Sequence, residues 1–403
     1  MIRIASVLVA LAGMLTGCSL HGLREQLAEP LKLAVLGGRV VPSQPLPRNT
    51  PLRVAAVSSD TAAPVLAHDV LLREAGEFEL FLPAGRYQLL AFADLNNDGR
   101  ATPDEPAARQ EGLTLSVGEW RMDLVLRLED APPEEHPAVS TLHARQDTLA
   151  GAHAVLEDPR YGHDYALAMG YWNGAAFLRE MGSNVHALQV FDPARIPVLF
   201  VYGARGDPQD WRYLIDQLDR KRFQPWFYYY PSGVPARITA PLLARKLASL
   251  QRQYDFDRLY VVAHSAGGLL VRHMLVESAP MPWLTRFISI ATPWGGEPIS
   301  AFGLRHSPVI VPAWEDLVPD GKFIAELYEK PLPPHVEHSL LYGQRSGWPL
   351  FLDDSDGSIP LSSLRDRRAL SGAQRVEAFD ETHRSILVSA SVATRLNTLL
   401  QAP

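Results

Sequence analysis

One serine stands where the sequence around it could make it a nucleophile. Residues 259–263 are a short apolar run rich in β-branched and aromatic types, which reads as a buried strand. His264, Ser265, Ala266, Gly267 and Gly268 follow, and then an apolar helical pattern to residue 277. Small residues on both sides let a strand turn abruptly into a helix, which lifts a serine hydroxyl clear of the sheet. The same turn puts the Ala266 N–H at a helix start, where negative charge is favoured. A serine hydroxyl needs a base to take its proton, and the base needs a carboxylate to orient it. The chain has 13 histidines, so the base is not fixed by count. Downstream candidates are His335, His338 and His383, with Asp353, Asp354, Asp356 and Asp380 as possible acids.

The run from Ala263 to Gly267 resembles the nucleophile elbow of the α/β-hydrolase family, with alanine in place of the first glycine. That resemblance implies the chain order serine, acid, histidine. It selects His383 as the base, on a loop between the last strand and the closing helix. His264, His335 and His338 are then structural. Asp356, Gly357, Ile359 and Pro360 resemble the D-G-x-V-P acid loop of lipase-like hydrolases, which selects Asp356. Asp353 and Asp354 are the alternatives, and Asp380 is a weaker one. Residues 197–208 resemble the family's P-V-x-F-V-H-G-x-x-G-x-P segment, with Tyr202 where the pattern has histidine. The implied oxyanion donors are the N–H groups of Ala204 and Ala266. Arg205 lies beside them. Thr292, Pro293 and Gly296 resemble the T-P-x-x-G loop of acylglycerol and phospholipid hydrolases. Residues 297–334 then have the apolar content of a cap over the serine.

The elements that must position these groups follow from pattern. Residues 155–403 alternate buried strands with helical segments, which predicts an α/β domain with a mostly parallel sheet. Residues 52–129 hold short strand-like segments separated by turns, which predicts a small all-β sandwich. Between them, residues 130–154 are rich in proline and glutamate and read as a linker. Within the small domain, Asp94, Asn96, Asp98, Gly99 and Glu105 have the spacing of a calcium-binding loop. The alternative is an acidic turn without an ion. No His/Cys cluster suggests zinc, and the resemblance implies no cofactor for catalysis.

The chain has 403 residues, 47% of them apolar and 21% charged, with a net charge of −7. This excludes disordered, collagenous and coiled-coil classes. The acidity, without a basic run, argues against nucleic acid as a partner. One cysteine excludes a disulfide scaffold. It is Cys18, after Arg3 and an apolar run over 4–15 that is too short to span a bilayer. Leu15, Thr16, Gly17 and Cys18 resemble a bacterial lipobox. The resemblance implies removal of residues 1–17, lipid on Cys18 and placement at the outer membrane, and the spacing of Pro42, Pro45, Pro47 and Pro51 suits a tether over residues 18–51.

The expected activity is hydrolysis of carboxylic esters, lipid esters above all. Thioesterase, amidase or acyltransferase chemistry on the same three residues is the alternative. So is a silent envelope protein that binds lipid or a partner.

Overall fold

The computed structural model describes residues 17–60, 65–129, 150–345 and 354–402. The expected signal segment up to residue 16, residues 130–149 of the expected linker, and Asp353 lie outside them.

The small domain is a two-sheet sandwich. Its strands are β1 (Ala34–Pro42), β2 (Leu52–Ser58), β3 (Val65–Leu72), β4 (Glu77–Leu82), β5 (Gly85–Ala93), β6 (Ala107–Leu115) and β7 (Trp120–Leu128). One sheet has the order β4-β1-β7 and the other β3-β2-β5-β6. Leu36, Val40, Leu80 and Leu126 from one sheet meet Val54, Leu89 and Ala91 from the other in a single core.

The tether expectation for residues 18–51 is corrected here. Helix α1 (Gly17–Ala28) and β1 occupy most of that stretch, and β1 is the central strand of its sheet. It pairs antiparallel with β4 and parallel with β7, and its first five residues are buried. Of the prolines that suggested a tether, Pro42 ends the strand, and Pro45, Pro47 and Pro51 lie in its connection to β2. Among the calcium-like residues, Asp94 is fully buried and accepts from Arg53 Nε at 2.7 Å and from the N–H groups of Asp98 and Gly99. Glu105 accepts from the N–H groups of Leu95 and Thr102, and Asn96 bonds to Asp98. The loop is closed by its own amides and by Arg53. Among the described residues, no three His, Cys, Asp or Glu side chains converge closely enough to hold a metal ion.

The larger domain is built on β8 (Ala152–His153), β9 (Asn184–Ala187), β10 (Ile196–Val201), β11 (Phe223–Tyr229), β12 (Leu259–His264), β13 (Leu284–Ile290), β14 (Glu337–Gly343) and β15 (Arg375–Phe379). Their order is β15-β14-β13-β12-β10-β11-β9-β8. Only the β11–β9 pair is antiparallel. Every residue of β11 and β12 is buried, as expected of strands covered on both faces by helices. The longer helices are α2 (Gly174–Glu180), α3 (Ala236–Tyr254), α4 (Ala266–Glu277), α5 (Pro298–His306) and α6 (Ala390–Gln401). The chain leaves β10 toward β11 on one side and returns to β12 on the other. A crevice therefore opens at the carboxyl ends of β10 and β12.

The two domains are packed against each other. Leu33, Val35 and Phe81 share a core with Ala175, Leu178 and Leu242. Buried His68 accepts from the Phe81 N–H at Nδ1 and donates from Nε2 to the Arg179 carbonyl at 2.9 Å. Desolvation pushes its pKa down to about 4, so the ring is neutral and both bonds have one tautomer. Lys246 Nζ lies 3.0 Å from Glu79 Oε2 with both side chains under 10% exposed. Arg245 is 3.6 Å from the other oxygen. Lys246→Met leaves the Glu79 charge buried with a weaker partner and should cost roughly 3–5 kcal/mol. The double change Glu79→Leu, Lys246→Met should recover most of it. Urea unfolding of the full chain checks this, and additive losses would contradict the pairing.

Candidate active site

Ser265 sits between β12 and α4 with φ 53° and ψ −132°, outside the regions that serine ordinarily adopts. The surrounding fold over-determines this strained turn. A Cβ on Gly267 would lie 2.4 Å from the Tyr202 carbonyl oxygen, so β10 can approach α4 only at a glycine. A Cβ on Gly203 would lie 2.6 Å from Ser265 Cβ and 3.1 Å from its Oγ. The two glycines bring the ends of the neighbouring strands onto the serine.

The structure brings Ser265, His383 and Asp356 together from loops after β12, β15 and β14. His383 Nε2 is 3.0 Å from Ser265 Oγ, and its Nδ1 is 2.7 Å from Asp356 Oδ2. Asp356 is fully buried, and its Oδ1 accepts from the N–H groups of Ser358 and Ile359 at 3.0 and 2.7 Å. Those amides fix which oxygen faces the histidine. The His383 N–H donates to the Asp356 carbonyl, which ties the two loops by their backbones as well. Asp354 contributes its carbonyl to the Leu361 N–H, and Asp380 pairs with Arg345 on the surface. Neither is in the chain of bonds. His264 donates from Nε2 to the His383 carbonyl at 2.9 Å. Burial, with His383 beside it, holds its imidazole well below the ordinary range, so it is a neutral support. His338 bonds to Ser289, and His335 to the Met281 carbonyl, both away from the serine.

The backbone N–H groups of Ala204 and Ala266 flank Ser265 and donate to nothing else among the described residues. The loop carrying Ala204 is held in a way that the sequence did not reveal. Tyr202 donates from its hydroxyl to the Tyr230 carbonyl and accepts from the Tyr230 N–H at 2.9 Å. Tyr230 donates from its own hydroxyl to the Tyr202 carbonyl at 2.7 Å. The rings stack with centroids 4.7 Å apart. Ser232 Oγ accepts from the Arg205 N–H. Two tyrosines thus supply the support expected of a histidine at position 202.

Residues 297–334 form α5 and two further helical turns over this end of the sheet. With Ala204 and Ala266 they enclose a cleft of about 30 Å³, lined also by Tyr230, Leu269, Leu317 and Phe323. Glu297 accepts from the Ser300 hydroxyl, and burial raises its carboxyl above the usual range, with the charges of His383 and Arg205 near enough to act on it. No spacing in the sequence marked it.

Asp316 also lines the cleft and was not foreseen. Its Oδ2 accepts from the Ala236 N–H at 2.6 Å, and Arg237 is 4.0 Å from Oδ1. Burial raises its pKa from 3.8 to about 7. Between those values the folded state holds a proton that the unfolded state has released. Stability is therefore lost as pH rises from about 4 to about 7. Asp316→Asn keeps the acceptor for Ala236 and removes the titration. It should be more stable than the parent by roughly 3 kcal/mol at pH 8 and no more stable at pH 4. Urea unfolding at the two pH values checks this, and an equal difference at both would refute it.

No family model matches the sequence, and no curated protein matches it. Solved structures do show likeness. The mature form of a lipase from Bacillus licheniformis is 16% identical, with 53% of this chain and 97% of that one covered at a TM-score of 0.45. A phospholipase from Legionella pneumophila is 16% identical, with 52% and 60% covered at 0.41. An α/β-hydrolase fold protein from Burkholderia ambifaria is 17% identical, with 54% and 94% covered at 0.37. In this chain itself, the sheet order, the strained turn after β12 and the loops that meet it are those of an α/β-hydrolase fold, preceded by a small β-sandwich.

Proposed function

We propose that this chain is a serine hydrolase of carboxylic esters, and of lipid esters in particular. The observation that carries the reading is the bonded chain Ser265–His383–Asp356 beside two N–H groups that, among the described residues, have no other acceptor. His383 Nε2 takes the proton from Ser265 Oγ as the oxygen attacks the acyl carbonyl carbon. The N–H groups of Ala204 and Ala266 bind the oxyanion. Asp356 holds the imidazolium, which then gives its proton to the leaving alkoxide. Water attacks the acyl-enzyme with His383 again as base, releasing the acid and restoring Ser265. Apolar Leu269, Leu317 and Phe323 in the cleft favour an acyl group over a polar one.

The lipid part of the proposal includes an anchor on Cys18 in the outer membrane, supported by the lipobox-like residues. Incorporation of labelled palmitate into the full chain, lost in Cys18→Ser, would bear this out. Incorporation that survives the change would refute it.

The reaction class is tested with one acyl group presented as oxygen ester, thioester and anilide. The oxygen ester should have the largest kcat/KM, and acylglycerols in micelles should be turned over. Preference for the thioester or anilide would replace the proposal with that chemistry. Turnover of none would favour a silent binding protein.

A further inference from the structure

The twelve residues from Ile299 to Ile310 carry three large apolar side chains in the open: Ile299, Phe302 and Ile310 are 50%, 46% and 42% exposed. Among the described residues of the larger domain, the other exposed large apolar side chains are widely spaced in sequence: Val155, Val190, Val376 and Val388. On α5, Ile299, Phe302 and His306 follow i, i+3, i+7 spacing and share one face. Residues 298–314 contain no Asp or Glu and carry Arg305 and His306, in a chain whose net charge is −7. An apolar stripe with a cation, Arg305, at its end is the composition of a surface that lies in the headgroup boundary of a bilayer.

Two further observations place this surface. Helix α1 lies against it: Arg24 Nε donates to the Pro308 carbonyl at 2.7 Å, and Leu20, Leu23 and Leu27 pack with Val309, Val311 and Ala313. Trp314 Nε1 donates to the Tyr171 hydroxyl at 2.7 Å on the inner side. The segment is pinned from both sides, so its outer face is a fixed platform. Cys18 lies in the first turn of α1, roughly 9 Å along the helix from Arg24. The same segment continues into Ala313, Leu317 and Phe323, which line the cleft beside Ala204 and Ala266. Candidate anchor, apolar stripe and cleft are thus continuous. Besides Arg24, α1 presents His21 and Glu25, paired with each other at 3.3 Å, so its charge is nearly balanced.

We propose that the outer face of α5 and the turn through Ile310 dock onto an anionic phospholipid leaflet and hold the cleft against the lipid from which substrate comes. The proposal rests on the lipid-ester reading above. The anchor would keep the chain at the membrane, and this face would set its orientation. Ile299, Phe302 and Ile310 enter the acyl boundary while Arg305, with Arg24 nearby, meets headgroup phosphates.

The test uses the chain from residue 18 onward with Cys18→Ser, so that neither an acyl chain nor the apolar run over 4–15 obscures the surface. Its flotation with phosphatidylglycerol–phosphatidylethanolamine vesicles is compared with that of the same chain carrying Ile299→Ser, Phe302→Ser and Ile310→Ser. All three sites are exposed, and unchanged thermal unfolding verifies the fold. The parent should bind and be partly released by salt. The triple variant should bind roughly tenfold or more weakly. Its hydrolysis of a vesicle-borne ester should fall to match, with hydrolysis of a soluble short ester unchanged. Equal binding by both chains, or none by the parent, would overturn the proposal. So would a parental dimer that the triple variant abolishes, since a second copy would then cover the face. Inactivity of both chains on the soluble ester would strike the hydrolase reading, and flotation would still decide the surface.

Discussion

Ser265→Ala is expected to lower kcat/KM for a carboxylic ester by roughly 10⁴–10⁶-fold while the fold stays intact. The change removes one oxygen whose partner is His383 Nε2. It leaves the N–H groups of Ala204 and Ala266 in place, so some stabilisation of the oxyanion persists and sets the residual rate. Alanine at φ 53° is strained much as serine is, and the turn is held by Gly203 and Gly267 rather than by the hydroxyl. Thermal unfolding should therefore move by less than about 2 °C. Initial rates and a melting curve on the same sample check both halves. A loss below about tenfold would mean that another group attacks the substrate.

Asp356→Asn should cost roughly 10⁴-fold in kcat with little loss of stability. The amide carbonyl can take over from Oδ1 as acceptor for the Ser358 and Ile359 N–H groups. That orientation turns the amide nitrogen toward His383 Nδ1, where it donates. Nδ1 must then accept, which puts the ring proton on Nε2. An imidazole with its proton on Nε2 cannot take the proton from Ser265 Oγ. Asp354→Asn is the matched control and should change kcat by less than about threefold, because that residue meets the site only through its backbone. Equal losses in the two variants would reassign the acid.

How much of this was legible depends on how local each constraint is. The turn at Ser265 is written in consecutive small residues between an apolar strand and helix, so it could be read directly. His383 needed the family's chain order and Asp356 the likeness of its loop to the family's acid loop, because nothing near either residue names Ser265 as its partner. The Tyr202–Tyr230 lock was hidden for a similar reason. Its members are 28 residues apart, each just past the end of a neighbouring strand, and the parallel pairing of β10 with β11 brings them together. Asp316 looks like any acidic loop residue, and its burial is a product of how the 297–334 segment folds back. Strand β1 was masked because the prolines that follow it suggested an extended tether, whereas its stabilising partners β4 and β7 lie far along the chain. In the acidic loop of the small domain, spacing alone fits both an ion site and a bare acidic turn. What spacing could not give is that Arg53, from another strand, reaches Asp94.

The most direct test of the central claim is covalent. The full chain is treated with a fluorophosphonate probe, digested, and the modified peptide identified by mass spectrometry. The account predicts one adduct, on Ser265, that is absent from Ser265→Ala and strongly reduced in Asp356→Asn. An adduct on a different serine, or labelling that persists unchanged in Ser265→Ala, would contradict it.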